Sequence, residues 1–172
     1  VSFQRGPASN AAVARACTLA FSQPGARVLD PFCGSGTVLI EAMLAGRRAL
    51  GVDLNPIAIR IAAVQTELRN ELELQRFSVN ARAVTDASLA RVRARIKVKA
   101  PLSASERAFY EPHVLLELSG LREEISRIEP EADRRALQIV LSALVIKFSR
   151  QRADTSEQPV AKRIRKGLVS EF

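Results

Sequence analysis

Two aspartates and a glycine turn are the residues in this chain whose types and spacing suggest chemistry. The first stretch is Val28-Leu29-Asp30-Pro31-Phe32-Cys33-Gly34-Ser35-Gly36-Thr37, and one helix later comes Gly51-Val52-Asp53-Leu54-Asn55-Pro56. Glycines let a backbone approach a ligand closely, and a helix start offers free N–H groups. A carboxylate at the end of the next strand accepts ribose hydroxyls. Together they make a cradle for a nucleoside-bearing ligand. A plainer reading stays open, in which Asp30-Pro31 is only a turn, Thr37 a helix start and Asp53 a cap for the following helix.

The elements that would position these residues follow from the surrounding pattern. Residues 27–32 read as a strand, 36–45 as a helix stopped by Gly46, and 49–53 as a second strand ending in Asp53. Pro56 suits the first turn of a helix running to about residue 69. Upstream, 9–22 reads as a helix capped by Ser9 or Asn10, with Val13, Ala16, Leu19 and Ala20 on one face and Pro24-Gly25 ending it. Right-handed crossover places the two strands side by side and parallel.

The turn lacks the third glycine of a dinucleotide fingerprint, since Gly36 is followed by Thr37, Val38 and Leu39. Asp30-Pro31-Phe32-Cys33-Gly34-Ser35-Gly36-Thr37 instead resembles motif I of the S-adenosylmethionine-dependent amino-methyltransferases, which methylate exocyclic amines of DNA bases, and of related RNA methylases. Glu41-Ala42 and Gly46 through Pro56 continue the resemblance, which covers roughly residues 25 to 65. It implies an α/β fold of the Rossmann-like methyltransferase type, present in part, with S-adenosyl-L-methionine as cofactor. Asp30 would accept from the cofactor's amino group, and Pro31 and Phe32 would offer an apolar flank. Gly34 and Gly36 would allow close approach, Ser35 and Thr37 would add hydroxyls, and Asp53 would take the ribose with Leu54 and Asn55 beside the adenosine. Cys33 would count among the cofactor-binding residues of the turn, in a variable slot and with no nucleophilic role.

Composition bounds the rest. The chain has 172 residues, 47% of them hydrophobic, enough for a buried core. No apolar run approaches the roughly 20 residues of a membrane-spanning helix, and Gln4, Arg5 and Asn10 interrupt any signal-like start. Two cysteines and one histidine offer neither a disulfide framework nor a metal site. A metal-free cytoplasmic protein is expected, with His113 near a helix start after Pro112.

A net charge of +8 points to an anionic partner. Arg150, Arg152, Lys162, Arg163, Arg165 and Lys166 crowd the last stretch and are the candidate phosphate contacts; the family resemblance implies DNA rather than RNA as the nucleic acid. The run Arg91-Val92-Arg93-Ala94-Arg95-Ile96-Lys97-Val98-Lys99 is a second basic segment; its alternation suits a strand and its Leu89, Val92, Ile96 spacing suits a helix. Arg47 and Arg48 are expected at the surface.

Three regions result: a cofactor-binding α/β half over 1–70, a helical region over 71–150, and a basic tail or loop over 151–172. The helical region contains amphipathic helices at about 112–128 and 131–149, separated by Pro130. It reads as an insertion or extension after the second strand.

The second signature of amino-methyltransferases, a polar residue followed by two prolines and an aromatic, holds the target amine and stacks on the flipped base. No Pro-Pro pair occurs in the chain, and Asn55-Pro56-Ile57-Ala58 lacks the second proline and the aromatic. The catalytic residues are therefore unassigned. The absent initiator Met and the count of two strands favour a fragment over a complete non-catalytic protein. An RNA base methyltransferase and a non-catalytic nucleic-acid-binding module are the alternative functions.

Overall fold

The structure, a computed structural model, describes residues 8–94, 96, 102–151, 159 and 169. The chain divides into two compact units, Val1–Arg69 and Asn70–Phe172.

In the first unit the order is α1 (Ala8–Phe21), β1 (Arg27–Asp30), α2 (Thr37–Leu44), β2 (Arg48–Gly51) and α3 (Pro56–Thr66). The strands pair in parallel, Arg27 opposite Arg48 through Asp30 opposite Gly51. Both are shorter than the sequence pattern suggests. The Asp30 carboxylate accepts the Phe32 N–H at 3.1 Å and turns the chain out of β1. The Asp53 carboxylate does the same for Asn55 after β2. Strand-like bonding continues a little further, from Val52 N–H to Asp30 O and from Cys33 N–H to Val52 O, both 2.9 Å.

α2 covers one face of this sheet and packs against both α1 and α3. Gly51 allows that approach: a Cβ there would lie 2.6 Å from Leu39 Cδ1 and 2.9 Å from Cys33. On the opposite face the registered pair Leu29 and Leu50 is exposed. Parallel sheets ordinarily have both faces covered, and among the described residues of this unit nothing covers this one.

Three readings of the first unit need correction. α1 begins at Ala8, so Ser9 and Asn10 lie inside the helix. Its buried face is Ala14 and Thr18, while Val13 is 61% and Leu19 52% exposed; the helix turns its small residues to α2, where backbones come close. Arg47 is only 8% exposed, not a surface residue. Its guanidinium donates to Ser22 Oγ at 3.0 Å, to Ser22 O at 2.6 Å and to Ala45 O, tying the end of α1 to the turn before β2.

The second unit holds α4 (Glu71–Arg93), α5 (Ala104–Arg107), α6 (Pro112–Ser126) and α7 (Glu131–Lys147). α4 extends far beyond the Leu89–Ile96 pattern. Its start is a capping box, with Asn70 Oδ1 accepting Glu73 N–H and Glu73 Oε2 accepting Asn70 N–H. The basic run is helical as far as Arg93, and residues 95 and 97–101 lie outside the described set. α4, α6 and α7 enclose Val84, Val114, Leu118, Leu121, Ile125, Leu137, Leu144 and Phe148. His113 stands in the first turn of α6, its Nδ1 3.6 Å from Glu111.

Two buried carboxylates in this unit are met from within. Asp133, fully buried, accepts from Arg76 Nε at 3.1 Å and Asn80 Nδ2 at 2.9 Å. Glu117, also fully buried, accepts the Val169 N–H at 3.1 Å.

Candidate cofactor site

The carboxyl ends of β1 and β2 gather most of the residues singled out in the sequence. Asp30 closes β1, Pro31 through Gly36 form the turn, Thr37 starts α2, and Asp53, Leu54 and Asn55 lie between β2 and α3. Crevices outside the carboxyl ends of parallel strands are where α/β proteins bind ligands.

Local chemistry shapes the turn. Gly36 is the N-cap of α2 at φ 91°, and a Cβ there would sit 3.1 Å from Ala62 of α3. Both conformation and space therefore require glycine. No side chain caps α2, so the first N–H groups of this helix lack intrahelical partners and suit a ligand's acceptor atoms. Asn55 caps α3, its Oδ1 accepting the Ile57 N–H at 2.9 Å.

Asp53 is the most connected group. Its Oδ2 accepts the Gly34 N–H at 2.9 Å and its Oδ1 the Asn55 N–H at 2.8 Å. These backbone donors, Asn55 first and then Gly34, hold its carboxyl below the usual aspartate range. Asp53 is therefore not the cap of the following helix, a place that Asn55 takes; it turns the chain toward α3 and accepts from the glycine turn.

Apolar surface flanks the two acids. Phe32 is 80% and Leu54 97% exposed. Cys33 differs: it is 5% exposed and packs with Leu39 and Ala62. Its side chain thus belongs to the core, and burial, then the nearby Asp53 and Asp30 carboxylates, raise its thiol pKa. Ser35 is exposed and Thr37 half-buried.

The sequence reading gave no packing role to Gly51 or Ala62. Gly51, directly before Val52-Asp53, carries a legible signal in its glycine; Ala62 carries none, because only tertiary contact gives it meaning. A cavity of about 580 Å³ lies along α1 and the start of β1, lined among others by Val13, Cys17, Phe21, Arg27 and Val28. Neither Asp30 nor Asp53 lines it.

The cationic candidates fall elsewhere. Arg150 belongs to the second unit, where its Nη2 donates to Ala108 O at 2.6 Å. Its Nε is buried without a partner among the described residues. Arg152, Lys162, Arg163, Arg165 and Lys166 lie outside the described residues. Arg91 engages Glu123 at 2.8 and 3.0 Å and Glu124 at 2.6 Å, so the basic run it begins does not present this guanidinium to a phosphate. Among the described residues no cluster of three or more His, Cys, Asp or Glu could hold a metal ion. No helix among them is long and apolar enough to cross a membrane.

The class is that of a parallel βαβ unit with a glycine turn after β1, one acid closing β1 and another two residues beyond β2. Comparison with known proteins narrows it. Residues 8–64 match the family described as DNA methylase. The type II methyltransferase M.SmaI of Serratia marcescens is 50% identical over 44 residues, covering 26% of this chain and 15% of that protein. M.Cfr9I of Citrobacter freundii is 48% identical over 48 residues, 28% of this chain and 16% of that enzyme. A tRNA (guanine(10)-N2)-dimethyltransferase of Methanothermobacter thermautotrophicus is 58% identical over 31 residues, 18% and 9% of the two chains. The chain thus spans less than a fifth of the length of each of these relatives. No solved structure matches. Residues 8–64 are DNA-methylase-like in sequence, as the turn and the second acid suggested.

Proposed function

We propose that the Val1–Arg69 unit is the S-adenosylmethionine-binding part of an enzyme that methylates an exocyclic amine of a DNA base, built on a partial Rossmann-like fold. One observation carries the reading. Two carboxylates follow adjacent parallel strands, and the glycine turn between them is hydrogen-bonded to the second.

The residues fit the cofactor. A carboxylate oxygen accepts along more than one direction, so Asp53 keeps acceptor capacity beside the Gly34 and Asn55 bonds. Asp30 Oδ1 holds the Phe32 N–H, which leaves its other oxygen for a cationic amino group. Phe32 and Leu54 supply apolar surface for the adenosine, and the uncapped start of α2 supplies N–H groups. The cofactor contributes an electrophilic methyl group. The chain's own work is to bind and orient it, and placement of this kind contributes much of a transfer reaction's rate. The residues that hold the target amine belong to a Pro-Pro-aromatic motif that this chain does not contain. The helical region is an insertion or extension, and Arg152, Lys162, Arg163, Arg165 and Lys166 contact phosphates of the nucleic acid, while Arg150 is held at Ala108 O.

A second reading, methylation of RNA, is favoured by the match to the tRNA dimethyltransferase. Isothermal calorimetry with S-adenosylmethionine tests the shared core of both. One equivalent of ligand should bind the chain, and Asp53→Ala should weaken that binding by at least about tenfold, a difference of about 1.4 kcal/mol. A folded chain that gives no heat with the ligand overturns the reading. Methyl transfer to duplex DNA against tRNA, assayed on the parent enzyme, separates the two substrates.

A further inference from the structure

The apex of the glycine turn is tied to the rest of the unit through a side chain. Cys33 N–H donates to Val52 O at 2.9 Å and Gly36 N–H to Cys33 O at 2.8 Å, which fixes the two flanks. Between them Gly34 takes a left-handed conformation at φ 51°, and its N–H donates to Asp53 Oδ2 at 2.9 Å. The other oxygen of the same carboxylate holds the Asn55 N–H at 2.8 Å, one residue before α3 begins. A single side chain therefore links the turn after β1 to the junction of β2 and α3.

We propose that Asp53 is a positioning residue as well as a ligand acceptor: it latches the apex of the turn before any ligand arrives, and ribose hydroxyls take the acceptor directions that Gly34 and Asn55 leave over. The proposal rests on the cofactor reading above for its second half only. Without the latch the Gly34–Ser35 segment loses its tie to β2, and the N–H groups at the start of α2 no longer meet a fixed wall. Loss of Asp53 would then weaken ligand binding twice over, through the missing acceptor and through a turn that must be ordered on binding.

The latch is tested on the chain without ligand, where a purely ribose-binding role has nothing to act on. Asp53→Asn keeps the shape but leaves one oxygen, which can serve only one of the two N–H groups. Hydrogen exchange at Gly34 or at Asn55 should accelerate by about tenfold or more, as expected when local opening becomes easier by about 1.4 kcal/mol. The Ile40 and Ala45 amides of the α2 ladder should keep their protection. Unchanged exchange at both Gly34 and Asn55 in a folded Asp53→Asn chain overturns the latch, even if calorimetry still finds the cofactor bound. Slow wild-type exchange, its acceleration in Asp53→Asn and no cofactor binding would support the latch and overturn the cofactor reading instead. Should Asp53→Asn not fold, the unmutated chain decides: the Gly34 and Asn55 amide resonances should move with one shared midpoint as acid is added. Separate midpoints, or none, overturn the proposal.

Discussion

Leu29, Leu50 and Leu54 stand exposed in the Val1–Arg69 unit, whereas Leu118, Leu121 and Leu137 are buried in Asn70–Phe172. The first unit's buried cluster is Cys33, Leu39 and Ala62, small residues that let α2 and α3 approach the strands. The second unit packs three helices around a larger cluster of branched and aromatic side chains. Apolar burial contributes roughly 25 cal/mol per Å² removed from water, so the second unit draws far more on it. The first unit depends on close backbone approach and on hydrogen bonds through Arg47, Asp30 and Asp53. This contrast suits a site: the residues that could meet a ligand are those not committed to a core.

Truncating each core probes the contrast most strongly. Leu121→Ala should destabilise the helical unit by about 3 kcal/mol, a cavity among large neighbours that collapses poorly. Leu39→Ala should cost less, about 2 kcal/mol, because small residues surround it. Denaturant unfolding followed by amide exchange in each unit gives both numbers, and a larger loss at Leu39 would break the comparison.

A smaller effect sharpens it. Gly36→Ala puts a Cβ at a left-handed position and 3.1 Å from Ala62, at an expected cost of about 1–3 kcal/mol. Because the strain falls on the start of α2, cofactor affinity measured by calorimetry should drop with it. Lost stability with unchanged affinity would separate the turn from the binding function.

The smallest effect is electrostatic. Backbone donors lower the Asp53 pKa in the folded chain. A depressed carboxylate stabilises the fold above the unfolded value of about 3.9, and that contribution disappears as pH falls through the lower folded value. Melting temperatures between about pH 2.5 and 5 should therefore fall more steeply for the unmutated chain than for Asp53→Asn. Parallel curves would remove Asp53 from the forces that hold the turn.

Legibility followed the range of the interaction. The order helix, strand, helix, strand, helix over the first unit and the helices near Pro112 and Glu131 could be read because glycine, proline and apolar spacing act within a few residues. The faces of α1 could not: Val13 and Leu19 carry the larger apolar side chains, yet α2 packs on Ala14 and Thr18. Arg47 looked like a surface cation because charge is usually solvated, and its burial depends on Ser22, twenty-five residues away. Most of α4 escaped notice because its apolar residues make no single stripe, Leu72, Leu74 and Val79 standing exposed, although Asn70 and Glu73 spelled its start.

For the site itself, the sequence alone determined which residues lie together. A strand, a glycine turn, a helix and a second strand leave Asp30, Gly34, Gly36 and Asp53 at one end by chain length and handedness. What each one does there was decided by tertiary structure. Asp53 bonds Gly34, Gly36 abuts Ala62, Gly51 makes room for Leu39 and Cys33, and Cys33 turns inward. Those contacts depend on how far apart β1, β2, α2 and α3 sit, and side-chain volume across elements sets that distance where local spacing cannot.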